Sequence, residues 1–406
     1  MRRKKTILLS AYACEPNKGS EPEVGWQWAI NLSKLGHSVY VVTRRNNRKN
    51  IDKSKKKNEN LNFIYYDLHP WLMSLLSRKG KPNFFSFLYF YFWQLGIFFH
   101  IRPYIKKIKF DYIHHVTFVS LRYPSFLCFY KIPFILGPVS GGETVDFKFY
   151  KSLNLRSKIF EIIRNFSKYL IKYSPLINIM IHKSKKILVT SNETKNLIPK
   201  RYHFKTKIML AISSDGLVRK KNLNKSFNSY ISICFVGRLL CWKGIGMTLD
   251  ILYKLKTQIR NLKFTIIGDG LDKTFLQKKI DDLSLNNSIK IIKNQKRDTI
   301  MSFYKSQNLL LFPSYRDSGG MVIFEAISSN LLVASLNLSG PGYILNTKSS
   351  ILIDPKNLTY DEIVQRFSEK IVKCFKNHKL YKKKIKYSQN IIKNFNMISK
   401  ISKIYN

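Results

Sequence analysis

Short apolar runs alternate with amphipathic stretches along most of the 406-residue chain. "TILLSAY" (Thr6–Tyr12) is a compact apolar run of the kind a buried parallel strand gives. The turn-rich "ACEPNKGSEPE" follows, and "VGWQWAINLSKLG" then places apolar residues at helical spacing and stops at Gly36. "HSVYVVTR" reads as the next strand, so the chain opens with a βαβ unit, a right-handed crossover and a parallel sheet. "LNFIYYDL", "FDYIHHVT", "PFILGPV" and "KILVTS" continue the series. Between Lys200 and Ser229 the text turns basic, polar and poorly periodic, which predicts a linker. A second series then begins at "ISICFVGRL" and runs through "KFTIIGDG", "SIKIIKN", "NLLLFPS" and "LLVASL", with helical stretches between the strands. The pattern predicts an α/β chain of two facing doubly wound domains, over residues 1–215 and 226–384, with ligands at the carboxyl ends of the strands.

Composition changes this picture in three places. The hydrophobic share of 45% is enough for two buried cores. Lys and Arg total 71 against 24 acids, a formal net charge of +47. That excess points to an anionic partner, either an acidic membrane surface, a phosphorylated substrate or a nucleic acid, or else to compositional drift in a chain also rich in Asn, Ile, Phe and Tyr. The five cysteines (Cys14, Cys128, Cys234, Cys241, Cys374) are scattered without metal-ligand spacing, which fits a reducing, cytoplasmic setting.

Two segments raise the question of a membrane. "MRRKKTILLSAYAC" has the outline of a secretion signal, but its apolar run is short, Glu15 follows at once, and a buried first strand is the expectation. Residues Pro82 to Ile101, "PNFFSFLYFYFWQLGIFFHI", are uncharged and long enough to cross a bilayer core. They are aromatic, contain Asn83, Gln94 and His100, and are flanked by basic residues at both ends. A spanning helix, a helix resting on a membrane and an ordinary buried helix all remain open. The basic run Arg44 to Asn60 is expected to be a solvated loop.

The candidate chemistry gathers in a few loops. "LFPSYRDSGGMVIFEA" sets Asp317 just ahead of a helix and Glu325 within it. Eight helical residues would hold the two carboxylates ~12 Å apart, too far for a shared proton or a glycosidase pair. The spacing offers instead a helix start, with the amides of Ser318, Gly319 and Gly320 facing an anion and Glu325 placed to hold vicinal hydroxyls. The plain alternative is a capped core helix. "FVGRLLCWKG" puts Arg238 just past a strand and Lys243 five residues on, suited to a diphosphate or merely exposed. "NKGSEP" lies between the first strand and helix but lacks GxGxxG spacing and the lysine of a P-loop, so NAD or ATP use finds no support. No DxD, HExxH or EF-hand pattern occurs, and no metal is expected. "DYIHHVTF" places His114 and His115 at a strand end.

Taken in order, "AYACEPNKGSEPEVGWQWA", "HHVTF", "PFILGPVSGGE", "FVGRL..WKG", "FTIIGDG" and "LFPSYRDSGGMVIFEA" resemble the family 4 glycosyltransferases, retaining enzymes of the GT-B fold that use nucleotide sugars. The resemblance runs over nearly the whole chain and reaches "NFNMISKISKIYN", which looks like the final crossover helix, about residues 385–406, that returns to the N-terminal domain. It implies two Rossmann-like domains about a deep cleft, with the acceptor on the first and the donor on the second. It also implies that Arg238 and Lys243 hold the donor diphosphate and that Glu325 binds the ribose. Asp317 would face the donor sugar with the amides of Ser318, Gly319 and Gly320, Gly19 and Ser20 would line the cleft, and His114 or His115 would touch the sugar. Two positions depart from the family pattern: Asp317 is a shorter first acid, and Glu23 stands where relatives have glycine.

The expectation is therefore a metal-independent, retaining hexosyltransferase. It would take a UDP- or GDP-sugar and a glycan or polyprenyl-diphosphate-linked acceptor, at the inner face of the plasma membrane, in O-antigen, capsule or exopolysaccharide synthesis. The same-face displacement and the absence of a cofactor are carried by the resemblance. The competing expectation is a polyanion- or nucleic-acid-binding protein working through its basic surface. Against it, the aromatics lie in core-like runs and no nucleic-acid module is present.

Overall fold

Every strand of the described chain pairs in parallel, in two separate sheets. The computed structural model describes residues 4–54, 58–69, 84–215, 217 and 230–405. The latter part of the expected linker, residues 216 and 218–229, lies outside them, as do Pro82 and Asn83, whereas its first part, from Lys200, forms a 3-10 turn and a short strand of the first sheet.

The chain divides into two compact units. The first holds residues 1–142, 166–212 and 397–406, and the second holds 143–165 and 213–396. In the first, β1 (Thr6–Ala11), β2 (Ser38–Thr43), β3 (Leu61–Tyr65), β4 (Tyr112–Thr117), β5 (Phe134–Val139), β6 (Ser184–Val189) and β7 (Thr206–Ile208) form one sheet in the order β3-β2-β1-β4-β5-β6-β7. The apolar runs of β1, β4 and β5 are buried on both faces, which is why they read as continuous rather than alternating. Helix α1 (Ser20–Lys34) is the first crossover, and the basic run beyond β2 contains the short helix α2 (Arg48–Asp52).

The aromatic stretch forms α3 (Phe84–His100), followed by α4 (Arg102–Lys107). Tyr89, Phe90, Trp93 and Ile97 are buried in the core of the first unit together with Leu8, Val42 and Ile113. Trp93 Nε1 donates to Tyr66 O at 3.0 Å, and Tyr89 OH donates to Asp67 Oδ1 at 2.7 Å. Among the described residues no helix is long and apolar enough to cross a membrane. The spanning reading of this stretch therefore gives way to a helix packed on the first unit's core through Tyr89, Phe90, Trp93 and Ile97, with Phe92 and Phe99 exposed on its other side.

Helix α5 (Leu155–Tyr173) starts in the second unit and ends in the first. It is followed by α6 (Pro175–Lys183) and α7 (Asn192–Lys195). Residues 143–165, expected with the first domain, belong to the second because their side chains pack there: Phe149 stacks on Tyr315 at 4.4 Å and Phe160 on Trp242 at 5.6 Å.

The second sheet comprises β8 (Ile231–Val236), β9 (Leu262–Ile267), β10 (Ile289–Ile292), β11 (Leu309–Phe312), β12 (Leu332–Leu336) and β13 (Ile351–Ile353), in the order β10-β9-β8-β11-β12-β13. Its helices are α8 (Ile245–Gln258), α9 (Lys273–Asp282), α10 (Arg297–Tyr304), α11 (Met321–Ser328), α12 (Ser339–Ile344), α13 (Tyr360–Lys376) and α14 (His378–Lys393). The chain rejoins the first unit only at Met397, with α15 (Met397–Ser402), some residues later than the expected crossover. There Lys400 Nζ donates to the carbonyls of Leu210 and Ile212, and Tyr405 is buried. All five cysteines are buried and free.

Candidate active site

In the second sheet β8 lies between β9 and β11, so the order reverses between β8 and β11. At such a point the helices leave toward opposite faces and open a crevice outside the carboxyl ends of the two strands. The loops that border it are "GRLLCWK" after β8 and "PSYRDSGG" after β11. These are the two segments singled out for their charges.

The first loop is built tightly. Asp272 is buried, and its carboxylate accepts the Cys241 amide at 2.7 Å and Asn154 Nδ2 at 2.7 Å. Cys241–Lys243 make one 3-10 turn, closed by Gly244 in the left-handed conformation, φ 77. A Cβ there would lie 2.0 Å from the Pro313 carbonyl oxygen, so glycine lets the two loops touch. The Tyr315 amide completes the junction by donating to Trp242 O at 3.0 Å.

On this frame Lys243 Nζ donates to Asp317 Oδ2 at 2.5 Å, both side chains being largely buried. Asp317 Oδ1 accepts the Gly319 amide at 3.1 Å. Burial would raise the Asp317 carboxyl, but the Lys243 ammonium, the Gly319 N–H and the nearby Arg238 charge together hold it below its usual value. Asp317 is thus an ionised, paired carboxylate that fixes a cation, and a poor proton donor. Arg238 itself is exposed.

Helix α11 begins at Met321, capped by Gly320 at φ 86. Asp317 therefore stands outside the helix, and the Gly319 amide, expected to face an anion, is closed back onto the Asp317 carboxylate. The expected ~12 Å separation assumed one continuous helix, which the turn at Ser318–Gly320 replaces. Glu325 is the fifth residue of α11 and is buried, and its Oε1 accepts from Arg297 Nε at 3.1 Å. Burial raises its pKa, and the Arg297 charge offsets only part of that rise.

Three participants escape the sequence reading. Arg316, next to Asp317, is bidentate to Glu161 of α5 (Nη2–Oε1 2.6 Å, Nε–Oε2 3.1 Å), with its guanidinium 4.5 Å from the Trp242 ring centre. Glu161 is fully buried. Its signal is that it is the lone acid of α5 among five basic residues. Arg297 opens α10 just past β10, a place where one more cation in so basic a chain does not stand out.

In the first unit the corresponding reversal falls between β1 and β4. Gly19 caps α1 at φ 65, with open space around a hypothetical Cβ, so only the backbone requires glycine there. Ser20 also has positive φ, 50. Glu21 Oε1 accepts the Val119 amide at 2.5 Å, tying the loop after β1 to the loop after β4. Burial pushes the Glu21 carboxyl up to about 7, against the pull of the Val119 N–H. Glu23 is buried beside a cavity of about 430 Å³ that Lys18, Trp26 and Lys53 also line.

His114 and His115 are both buried on β4. His114 Nδ1 is bonded to Tyr405 OH and Nε2 to Gly137 O at 2.6 Å, so both of its nitrogens are committed to protein. His115 Nδ1 has no protein partner. Burial lowers His114 to about 3 and His115 to about 4, leaving both rings neutral.

Thus Arg238, Lys243, Asp317, Ser318, Gly319, Gly320 and Glu325 lie on the second unit, and Gly19, Ser20, His114 and His115 on the first. The model of the family described as Glycosyl transferases group 1 matches residues 218–391. The matched segment contains both loops and Arg238, Arg297, Lys243, Arg316, Asp317 and Glu325, while Glu161 lies outside it. Uncharacterized glycosyltransferase MJ1059 of Methanocaldococcus jannaschii is 30% identical over 185 residues, which cover 44% of this chain and 44% of that relative. The match thus spans under half the length of that relative. A glycosyltransferase from Rickettsia africae ESF-5 superposes over 100% of this chain and 98% of its own, with a TM-score of 0.67 at 20% identity. HepE of Anabaena, solved in complex with UDP and glucose, superposes over 98% of this chain and 97% of its own, with a TM-score of 0.63 at 13% identity. The fold of the chain is that of these glycosyltransferases, two parallel-sheet Rossmann-like domains of GT-B type.

Proposed function

We propose that this chain is a retaining glycosyltransferase that moves a sugar from a nucleotide-sugar donor to a glycan or lipid-linked acceptor during surface polysaccharide synthesis. The observation that carries the reading is the Lys243–Asp317 pair beside Arg238 in the loops that flank the β8/β11 reversal. When a sugar–diphosphate bond breaks, negative charge collects on the departing oxygen. Arg238 and Lys243 offset that charge without a metal, and Asp317 holds the Lys243 ammonium in place. Glu325 takes the ribose hydroxyls, with Arg297 paired to its buried carboxylate. The amides of Ser318 and Gly320 face the donor. On the first unit, Gly19 and Ser20 are assigned to donor binding, and His115 rather than His114 to the sugar, because His115 retains an unpartnered nitrogen. Retention follows from same-face attack, the leaving phosphate accepting the acceptor's proton. The excess of 71 basic over 24 acidic residues favours an acceptor presented at an anionic membrane surface.

The test is a thermal-shift titration with UDP, GDP, dTDP and their sugar conjugates in EDTA. One nucleotide should raise the melting temperature, and Glu325→Ala should abolish the rise. No shift with any nucleotide, together with tight salt-sensitive binding of nucleic acid, would replace this reading with the polyanion-binding one.

A further inference from the structure

Helix α5 carries an exposed apolar stripe. Leu155, Ile159, Ile162, Ile163, Phe166 and Tyr169 all fall on one side of it, at the three- and four-residue spacing of a helical face, with Tyr173 closing the row. Ile163 is 63% exposed and Phe166 66%. The stripe runs the length of a 19-residue helix, about 28 Å. Solvent-facing apolar residues in single positions are ordinary, but a continuous row of this length is not.

The opposite side of the helix is committed. Ser157 Oγ donates to Asp272, and Glu161 pairs with Arg316, so the rotation of α5 about its own axis is fixed with the stripe outward. Arg156 and Lys158 flank the stripe and Lys172 lies near its end, while Arg164 and Lys168 fall on the opposite side. The helix contains Arg156, Lys158, Arg164, Lys168 and Lys172 and a single acid, Glu161, whose charge Arg316 already neutralises. Arg156 and Lys172 are exposed beside the apolar row. An apolar face edged by cations, with tyrosines at one end, is the chemistry of a helix lying in the plane of an anionic bilayer. A second copy of the chain fits less well, since a two-fold contact between identical basic edges would set like charges against each other.

We infer that the exposed face of α5 is a membrane-docking surface that inserts its apolar row among the acyl chains of an anionic bilayer. This deepens the proposed function, on which it rests, by giving its membrane contact a location on α5, with the exposed Phe92 and Phe99 of α3 as the competing surface.

The experiment is co-sedimentation of the full chain with phosphatidylglycerol/phosphatidylcholine vesicles and with pure phosphatidylcholine vesicles. It compares the natural protein with the Ile159→Ser/Ile163→Ser/Phe166→Ser variant and with a Phe92→Ser/Phe99→Ser control on α3. Light scattering and nucleotide binding are measured on the same samples. The natural protein and the α3 control should pellet with anionic vesicles, and the α5 variant should lose about tenfold or more in partitioning. Circular dichroism and nucleotide affinity should stay unchanged in that variant. Equal binding by the α5 variant, or no vesicle binding by the natural protein, would overturn the inference. A natural dimer that the α5 variant splits, with no vesicle binding, would overturn it in favour of a second copy. Vesicle binding without nucleotide binding would sink the proposed function and leave the docking face standing.

Discussion

Lys243 and Asp317 stand 74 residues apart in the chain, and their side chains meet at 2.5 Å. The contact joins the loop after β8 to the loop after β11 and fixes a cation where a diphosphate is expected to leave. Lys243→Ala removes that cation and frees the carboxylate it held. The expected loss in kcat/KM is about 10²–10³-fold, read from initial rates with the nucleotide sugar. Asp317→Asn, which keeps the shape and loses the charge, should fall between the two. A Lys243→Ala enzyme of natural activity would show that the charge on the leaving oxygen is stabilised elsewhere.

The Arg316–Glu161 pair predicts an effect on stability. Glu161 is fully buried, so Glu161→Ala strands the Arg316 guanidinium without its carboxylate. Urea unfolding should report a loss of about 3–5 kcal/mol. The apolar double change Glu161→Leu/Arg316→Met should recover most of it.

Acid should unfold the first unit through its histidines. His114 and His115 have folded-state values of about 3 and about 4 against an ordinary 6.5, so the unfolded chain binds protons the native one does not. Their contribution is fully present above pH 6.5 and is lost as pH falls, with His115 alone costing roughly 3 kcal/mol by pH 4. Glu21 has the opposite sign. Held at about 7 against an ordinary 4.5, it keeps its proton in the native state and loses stability as pH rises through that window. Melting curves between pH 4 and 8 should therefore flatten on the acid side in His115→Gln and on the neutral side in Glu21→Gln.

Gly340 supports the second loop from below. Its amide donates to Asp317 O at 2.7 Å, and a Cβ there would lie 2.6 Å from that oxygen and 2.8 Å from Gly319 O. Gly340→Ala must push the Asp317–Gly319 turn outward. Its expected cost is about 1–3 kcal/mol in thermal unfolding, with weaker nucleotide binding in the same titration.

The strands and the two-series architecture were legible because parallel strands buried on both faces are written as uninterrupted apolar runs. The motif loops were legible because glycines and charges cluster just after those runs. What stayed hidden was decided at long range. Whether protein or lipid covers the aromatic face of α3 is not encoded in its composition, since either neighbour suits the same side chains. The assignment of residues 143–165 to the second unit rests on Phe149 with Tyr315 and Phe160 with Trp242, contacts between residues more than eighty positions apart. The turn at Ser318–Gly320 was misjudged for a local reason: Gly320 in the left-handed region delays the helix start that the apolar spacing alone would place earlier.

The central claim is that Arg238 and Lys243 hold a diphosphate. Titration calorimetry of the nucleoside diphosphate and its monophosphate into the natural protein and the Arg238→Ala/Lys243→Ala variant tests it most directly. The natural protein should prefer the diphosphate by about tenfold or more, and the variant should bind both alike. A variant that keeps the full diphosphate preference would contradict the account.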